Sequence, residues 1–273
     1  MLRLSKRLQA AADLVGECST AADVGTDHGY IPVYLVAQGK AERAIAMDIR
    51  EGPLGRAREH IRQYGLERKI ETRLSDGCLA LRPGEADVIV IAGMGGALMQ
   101  RILRMGEDTA KAAGKLVLQP QSEIPAFREF VLRQGYQITA EDMVLEDGKY
   151  YPMMAVEFTG KTAENEESRE HLHEEETRLA SVESAGNTKS GAKGRGAENL
   201  EDRRIACKFG PLLLEQRHPV LKQYLLRQQK QKQNILQNLK SNARQDVTAR
   251  ENELLQELLD IEAALKIYAA GKE

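Results

Sequence analysis

Ala-Asp-Val-Gly-Thr-Asp-His-Gly-Tyr at residues 22–30 is the stretch that decides the fold class of this chain. It comes before an apolar run at residues 31–37, and the order is typical of a strand, a turn and a helix. Gly25 and Gly29 have no Cβ, so the turn between strand and helix can bend sharply and approach a ligand closely. The alternative is an ordinary tight strand-to-helix connection, which also needs glycine.

A second acidic residue, Asp48, ends the next strand-like segment, residues 44–48. An acid in this position of a strand–helix–strand unit can accept hydrogen bonds from a ribose. The turn and Asp48 together predict a site for a cofactor that contains a nucleoside. We assign cofactor-binding roles to Asp23, Gly25, Gly29 and Asp48 and, in the two segments described next, to Asp76, Gly77, Gly93 and Met94.

Two later segments are predicted to end at the same edge of the sheet. Asp76 and Gly77 close the third strand-like segment, where Asp76 could contact an adenine edge, although Asp-Gly is also a common turn. Ile-Ala-Gly-Met-Gly-Gly at residues 91–96 ends the fourth segment. A dehydrogenase-type glycine fingerprint does not fit there, because its third glycine position is a leucine. Gly93 and Met94 are therefore predicted to border a cofactor tail or a target base.

Two polar pairs follow the fourth segment. Gln119 and Gln121 flank the end of the fifth strand-like segment, where they either hydrogen-bond a base or form a polar loop exit. Tyr150 and Tyr151 either stack on a base or fill the face of a hairpin.

Strand-like and helix-like segments alternate from residue 20 to residue 158, and the strands are continuously apolar, as in a parallel sheet covered on both faces. Glu-Asp-Gly-Lys at residues 146–149 joins the last two segments, residues 136–145 and 150–158, and predicts an antiparallel hairpin. Parallel strands that close with such a hairpin are typical of an α/β, Rossmann-like class I methyltransferase sheet. The predicted strands are 21–25, 44–48, 70–74, 88–92 and 116–119, and the predicted helices are 32–38, 53–64, 97–105 and 124–134.

The composition changes after residue 160. Residues 164–183 are rich in Glu and residues 184–196 form a low-complexity tract, which predicts a flexible insert. Leucines at alternating spacings of three and four then predict one helix over Pro211–Lys240 and a second over Val247–Tyr268. The basic arm, residues 217–244, has seven Lys and Arg residues and no acid. It could pair with acids of the second helix, and its spare basic face could meet phosphates.

The overall composition gives few constraints on function. The 273 residues include 39 Lys and Arg and 41 Asp and Glu, a net charge of −2. Three cysteines without a C-x-x-C pair argue against a disulfide framework and a zinc site. His171-x-His173 is the only metal-like spacing, and it lies in the acidic tract, so we predict no metal. No signal peptide or membrane span is evident, and we predict a cytoplasmic protein.

Seven motifs together resemble the bacterial tRNA (adenine-N1)-methyltransferases of the TrmK family, which modify adenine 22. The resemblance runs from residue 2 to about residue 238, apart from residues 160–205. The motifs are Leu-Ser-Lys-Arg-Leu at 4–8, residues 23–30, Gly-Pro-Leu at 52–54, Ser-Asp-Gly at 75–77, residues 91–96, Leu-Gln-Pro at 118–120 and Phe-Gly-Pro at 209–211.

The resemblance implies S-adenosylmethionine as cofactor and tRNA as partner. From the charges of the basic arm, we predict that the tRNA is bound through this arm and the edge of the cofactor cleft. It implies a methyltransferase domain, which we place at residues 1–160, and a coiled-coil-like helical domain, which we place at 203–273. The change of composition predicts an insert between them, at 161–202, that is longer than expected for the family. Because methylation leaves a cationic adenine, a carboxylate beside the base would stabilise the developing charge, and Asp27 is the first candidate. His28 and Tyr30 complete the predicted base pocket. A nicotinamide-dependent oxidoreductase and a non-catalytic RNA-binding protein remain the alternatives.

Overall fold

The computed structural model describes residues 2–160, 195–242 and 247–269. The strands are β1 (Cys18–Val24), β2 (Ala41–Asp48), β3 (Ile70–Leu74), β4 (Val88–Met94), β5 (Lys115–Pro120), β6 (Tyr136–Glu146) and β7 (Lys149–Phe158). The helices are α1 (Lys6–Val15), α2 (Tyr30–Ala37), α3 (Glu51–Gln63), α4 (Gly96–Met105), α5 (Glu107–Ala112), α6 (Ile124–Arg133), α7 (Arg195–Phe209), α8 (Pro211–Glu215), α9 (Pro219–Asn242) and α10 (Thr248–Ala269). The alternation predicted from the sequence is confirmed.

All seven strands form one sheet in the order β3-β2-β1-β4-β5-β7-β6. The first five are parallel, and β7 inserts antiparallel between β5 and β6. The carboxyl ends of β1 to β5 therefore meet at one edge, and the strand order reverses between β1 and β4. Ligands of open α/β sheets bind at such a reversal. The predicted class, a Rossmann-like methyltransferase sheet closed by a hairpin, is confirmed.

The apolar strands pack on both faces because alternate residues point to opposite sides. Ile89 and Ile91 enter a core formed with α4, α5 and α6. Val88 and Val90 enter a second core formed with α1, α2 and α3. This sheet with its covering helices, residues 2–160, is the sheet domain.

The helical domain, α7 to α10, packs on β6 through a third core that includes Met143. Helices α9 and α10 run antiparallel, because Lys232 lies 2.5 Å from Glu257 and Lys240 lies 2.8 Å from Glu251. The predicted pairing of the basic arm with acids of the last helix is confirmed at these two positions. Residues 243–246, between these two helices, lie outside the described residues.

The prediction of one helix over Pro211–Lys240 is wrong. The helix is interrupted between α8 and α9, where Arg217 has a φ of 50° and His218 precedes Pro219. Proline has no amide hydrogen and disfavours a helical conformation in the residue before it, so Pro219 begins a new helix. Helix α7 also begins at Arg195, before the predicted domain boundary at residue 203. His171 and His173 lie outside the described residues.

A buried ion pair connects the two domains. Arg128 of α6 donates from Nε to Glu141 of β6 at 2.9 Å, and both side chains are almost fully buried. Glu141 also accepts the amide hydrogen of Leu212 at 3.0 Å, at the first turn of α8. Arg128 donates to the backbone carbonyl of Cys207 at 3.1 Å. Gly210 lies against both charged groups, where a Cβ would come within 3 Å of each.

None of the described helices is long and apolar enough to cross a membrane.

Candidate active site

The turn between β1 and α2 holds three residues in the left-handed region. Gly25, His28 and Gly29 have φ values of 77°, 61° and 64°. The amides of Gly25 and Thr26 both donate to the carbonyl of Met47 at 2.8 Å, which fixes the turn against the end of β2. A Cβ on Gly25 would overlap Cε of Met94, so the end of β4 lies directly over the turn. The space beside Gly25, which was predicted to let a ligand approach closely, is thus occupied by the side chain of Met94.

Three of the predicted cofactor residues are acids, and they lie along the edge of the sheet where the carboxyl ends of the parallel strands meet. Asp23 at the end of β1 and Asp48 at the end of β2 are buried. Oδ1 of Asp48 accepts the amide hydrogen of Arg50 at 2.8 Å. Asp76 follows β3 and accepts a hydrogen bond from Arg101 at 2.7 Å. Burial, and then the nearby Asp48 carboxylate, raises the pKa of Asp23 to about 6.

The predicted base-pocket residues lie together on the outer side of the same turn. His28 and Tyr30 stack with ring centroids 5.3 Å apart. The Asp27 side chain is 65% exposed and forms an ion pair with Arg56 of α3 at 2.7 Å. Its carboxylate is also 3.7 Å from Nε2 of His28. The structure therefore brings Asp27, His28 and Tyr30 together and adds Arg56, which the sequence reasoning missed.

The methyltransferase domain family matches residues 4–154, which is more than half of the chain and covers the turn, β4 and β5. The chain belongs to the methyltransferase domain family. The resemblance read from the seven motifs is confirmed by a tRNA (adenine(22)-N(1))-methyltransferase of Bacillus subtilis. That protein is 40% identical over 156 residues, which are 57% of this chain and 66% of the relative.

Solved structures of similar proteins extend over both domains. The crystal structure of the Bacillus subtilis m1A22 tRNA methyltransferase TrmK is 28% identical, with a TM-score of 0.72 over 97% of this chain and 99% of that one. A Streptococcus pneumoniae protein assigned as a tRNA (m1A22) methyltransferase, in complex with S-adenosyl-L-methionine, is also 28% identical. Its TM-score is 0.71, over 96% of this chain and 100% of that one.

Two side chains of this methyltransferase lie near the end of β4: Arg7, which was not assigned to the site from the sequence, and Gln121, for which a hydrogen bond to a base was one of two alternatives. Nη1 of Arg7 would lie 3.6 Å, and Nε2 of Gln121 3.7 Å, from a Cβ on Gly93. Arg7 belongs to the first of the seven motifs, and this was the signal that could have placed it. Gln121 also donates its backbone amide to the carbonyl of Met94 at 2.8 Å. Gly93 and Met94 therefore lie between the cofactor turn and these two polar groups.

Gln119 of the methyltransferase is not part of a polar loop exit. It lies within β5, is 1% exposed, and has no hydrogen-bond partner for either amide atom among the described residues. Buried amides are nearly always hydrogen-bonded in folded proteins. An unpartnered amide at the ligand edge of the sheet fits a site that is completed by a bound group.

Asp23 should make the stability of the methyltransferase depend on pH. Because its folded pKa of about 6 is above the ordinary 3.8, the folded state holds the proton more tightly than the unfolded state does. The stabilisation of the folded state by this proton is present in full below pH 3.8 and is lost as the pH rises through 6. Asp23→Asn should therefore raise the free energy of unfolding at pH 8 by about 1–3 kcal/mol.

Urea denaturation at pH 8 and pH 5 measures this effect. The gain from Asp23→Asn should shrink at pH 5, and Asp108→Asn, an exposed control on α5, should change stability little at either pH. Equal destabilisation by Asp23→Asn at both pH values would show that folding does not disfavour the charged form of Asp23.

Proposed function

We propose that this methyltransferase transfers a methyl group from S-adenosylmethionine to ring nitrogen N1 of an adenine in tRNA, at position 22. The observation that supports this most strongly is the Gly93–Gly96 segment at the end of β4, together with the tRNA (adenine(22)-N(1))-methyltransferase relative. Enzymes that methylate exocyclic amines resemble one another in an acid- or amide-Pro-Pro-aromatic loop at this place. A ring nitrogen already offers a lone pair, so it needs alignment with the methyl donor rather than such a loop.

The cofactor assignment rests on the carboxyl edge of the sheet. Gly25 and Gly29 form the turn after β1 with the backbone in the left-handed region, Asp48 is placed for ribose hydroxyls, and Asp76 and Gly77 are placed for the adenine edge. When bound, S-adenosylmethionine supplies an electrophilic methyl group, whose bond to sulfur breaks as the bond to N1 forms. The Asp27 carboxylate stabilises the positive charge that develops on the adenine. His28 and Tyr30 offer stacked rings to an extruded base, since N1 lies on the pairing edge and is hidden in a helix.

The test is methyl transfer to a tRNA transcript by the full chain, with the modified nucleotide mapped by mass spectrometry. We expect 1-methyladenine at position 22 and no product on a transcript with guanine there. Methylation of a different nucleotide, or cofactor binding without transfer to tRNA, would refute the proposal. The methyltransferase family match favours this function over the nicotinamide-dependent oxidoreductase, and the intact edge residues favour it over a non-catalytic RNA-binding protein. A tRNA substrate fits the predicted cytoplasmic location.

We also propose that the basic arm binds tRNA phosphates. Lys232 and Lys240 pair with acids of α10, and Arg227 donates to the carbonyl of Gly148 at 3.2 Å, so these three have structural roles. Arg217, Lys222 and Lys230 are exposed and have no ion-pair partner among the described residues, although Nζ of Lys222 lies 5.9 Å from the centre of the Tyr268 ring. They are the cations of the arm best placed to contact a nucleic acid.

Lys222→Ala and Lys230→Ala should each weaken tRNA binding and reduce the slope of log affinity against log salt by about 1, because each lysine would neutralise one phosphate. Filter binding over a range of salt concentrations measures the slope. Lys266→Ala on α10 is the matched control, and it should leave the slope unchanged. An unchanged slope in the Lys222 and Lys230 variants would mean that the arm is only structural.

A further inference from the structure

A cavity of about 590 Å³ lies between the sheet domain and the helical domain. This volume is within the range of about 300–1,000 Å³ found for small-ligand sites. Neither the residues assigned to the cofactor nor Asp27, His28 and Tyr30 line it, whereas Gln121, Tyr150 and Tyr151, which the sequence offered as possible contacts of a base, do. The cavity is formed by the start of α6, the β6–β7 hairpin, the end of α7 and the start of α9.

Aromatic rings dominate the hairpin and α9 sides of the cavity. Tyr150 and Tyr224 meet edge to face at 5.1 Å, and Tyr151 lines the cavity beside them. Two guanidinium groups lie over these rings, with Arg227 at 5.7 Å from the centre of Tyr150 and Arg7 at 5.7 Å from that of Tyr151. Tyrosine rings and guanidinium planes are the groups on which proteins stack unpaired bases.

The polar groups of the cavity favour an anion. Lys149 is exposed on the rim and has no ion-pair partner among the described residues. Arg128 also lines the cavity, is 1% exposed, and has an Nη2 with no hydrogen-bond partner in the described part of the chain. Glu123 is the only acid among the lining residues. An orphan arginine donor and an unpaired lysine fit a phosphate oxygen better than they fit a cation or an apolar ligand.

The cavity also lies between the two places where the tRNA is expected to bind. Gln121 lines it and reaches to the end of β4 at Gly93. On the other side, Leu221 and Tyr224 belong to α9, the helix that presents Lys222 and Lys230. A nucleic-acid strand that runs from the basic arm to the target adenine would pass over this cavity.

We propose that the cavity binds one unstacked nucleotide of the tRNA next to the target adenine, with its base against the tyrosine rings and its phosphate at Lys149. This inference rests on the proposed function, since it deepens the recognition of the same substrate. This neighbouring nucleotide, once bound in the cavity, holds the RNA strand at a fixed distance from the methyl donor while the target base is extruded.

Steady-state kinetics with the tRNA transcript tests the aromatic part. Tyr150→Leu keeps apolar volume but removes the ring, so it should raise the KM for tRNA about 10-fold, the scale of one lost stacking contact. Tyr150→Phe should restore the wild-type KM. Lys149→Ala should raise the KM and lower the salt slope, whereas Lys69→Ala, an exposed lysine before β3 at the opposite edge of the sheet, should change neither. S-adenosylmethionine affinity should stay at the wild-type value in all four variants.

Photocrosslinking gives a readout that a structural role of the tyrosines would not produce. A transcript with 5-iodouridine beside the target adenine should crosslink to a tyrosine of the cavity, as mapped by peptide mass spectrometry. An unchanged KM in Tyr150→Leu, or crosslinks only outside the cavity, would overturn the proposal. The proposed function would still stand in that case if the wild-type protein methylated adenine 22. Failure of the wild-type protein to methylate tRNA would instead refute the proposed function.

Discussion

Glu141→Gln should destabilise the protein by about 3–5 kcal/mol, because it leaves the charge of Arg128 buried without a partner. The pair is almost inaccessible to solvent and joins α6 and β6 to the start of α8. Loss of the glutamate charge should therefore loosen the contact between the two domains before the sheet domain unfolds. Thermal denaturation monitored by calorimetry measures the loss, and limited proteolysis shows where the chain opens first.

Glu129→Gln is the matched control for this substitution. Glu129 is an exposed acid of α6, the helix that carries Arg128. It pairs with Arg133 one turn later, and such surface pairs contribute at most about 1 kcal/mol. The double variant Arg128→Met, Glu141→Leu should recover part of the lost stability, because it removes both buried charges together. A melting temperature of Glu141→Gln within a degree or two of that of Glu129→Gln would show that the ion pair does not hold the domains together.

Asp27→Asn should lower kcat for tRNA methylation by about 10²-fold, the scale of losing one electrostatic partner of a developing charge. The variant keeps the size of the side chain and removes the charge that would stabilise the cationic adenine. Because Asp27 is mostly exposed, the fold and the affinity for tRNA should change little. Single-turnover methyl transfer measures the chemical step, and calorimetry measures cofactor binding.

The ion pair with Arg56 supplies the comparison that separates catalysis from structure. If Asp27 only anchors α3, Arg56→Ala should slow the reaction as much as Asp27→Asn does. If Asp27 acts on the substrate, Arg56→Ala should keep most of the activity. Glu51→Gln, the control, changes an exposed acid of α3 that pairs with Arg58 and should keep wild-type activity. A normal single-turnover rate in Asp27→Asn removes Asp27 from the chemistry, and lost cofactor binding places it at the cofactor instead.

The order of the elements could be predicted from the sequence because buried parallel strands are marked by short apolar runs between turn residues. Residues 88–91 show this most clearly, and β3 was predicted with its observed bounds. The carboxyl-edge residues followed from this order, since Asp23, Asp48 and Asp76 each end or follow a strand. Their proximity is a consequence of parallel strands rather than of any one motif.

The contacts that join distant segments could not be predicted in the same way. Met94 lies over Gly25, and Arg56 pairs with Asp27, only because β1, α3 and β4 converge at one edge. The leucine spacing extended the first C-terminal helix across residues 216–218, because the hydrophobic repeat continues through the break that Pro219 imposes. The cavity could not be predicted from the sequence because its walls come from four elements of two domains.

The position of β6 means that the two domains of this protein cannot be separated cleanly. β6 is the last strand of the sheet, and α8 and α9 cover it. A fragment that ended at residue 160 would present Met143 and a long uncovered edge strand to solvent, and such strands pair with one another and aggregate. The proposed role of the helical domain in RNA binding must therefore be tested by single substitutions in the full chain, because aggregation of a truncated protein would obscure its RNA affinity.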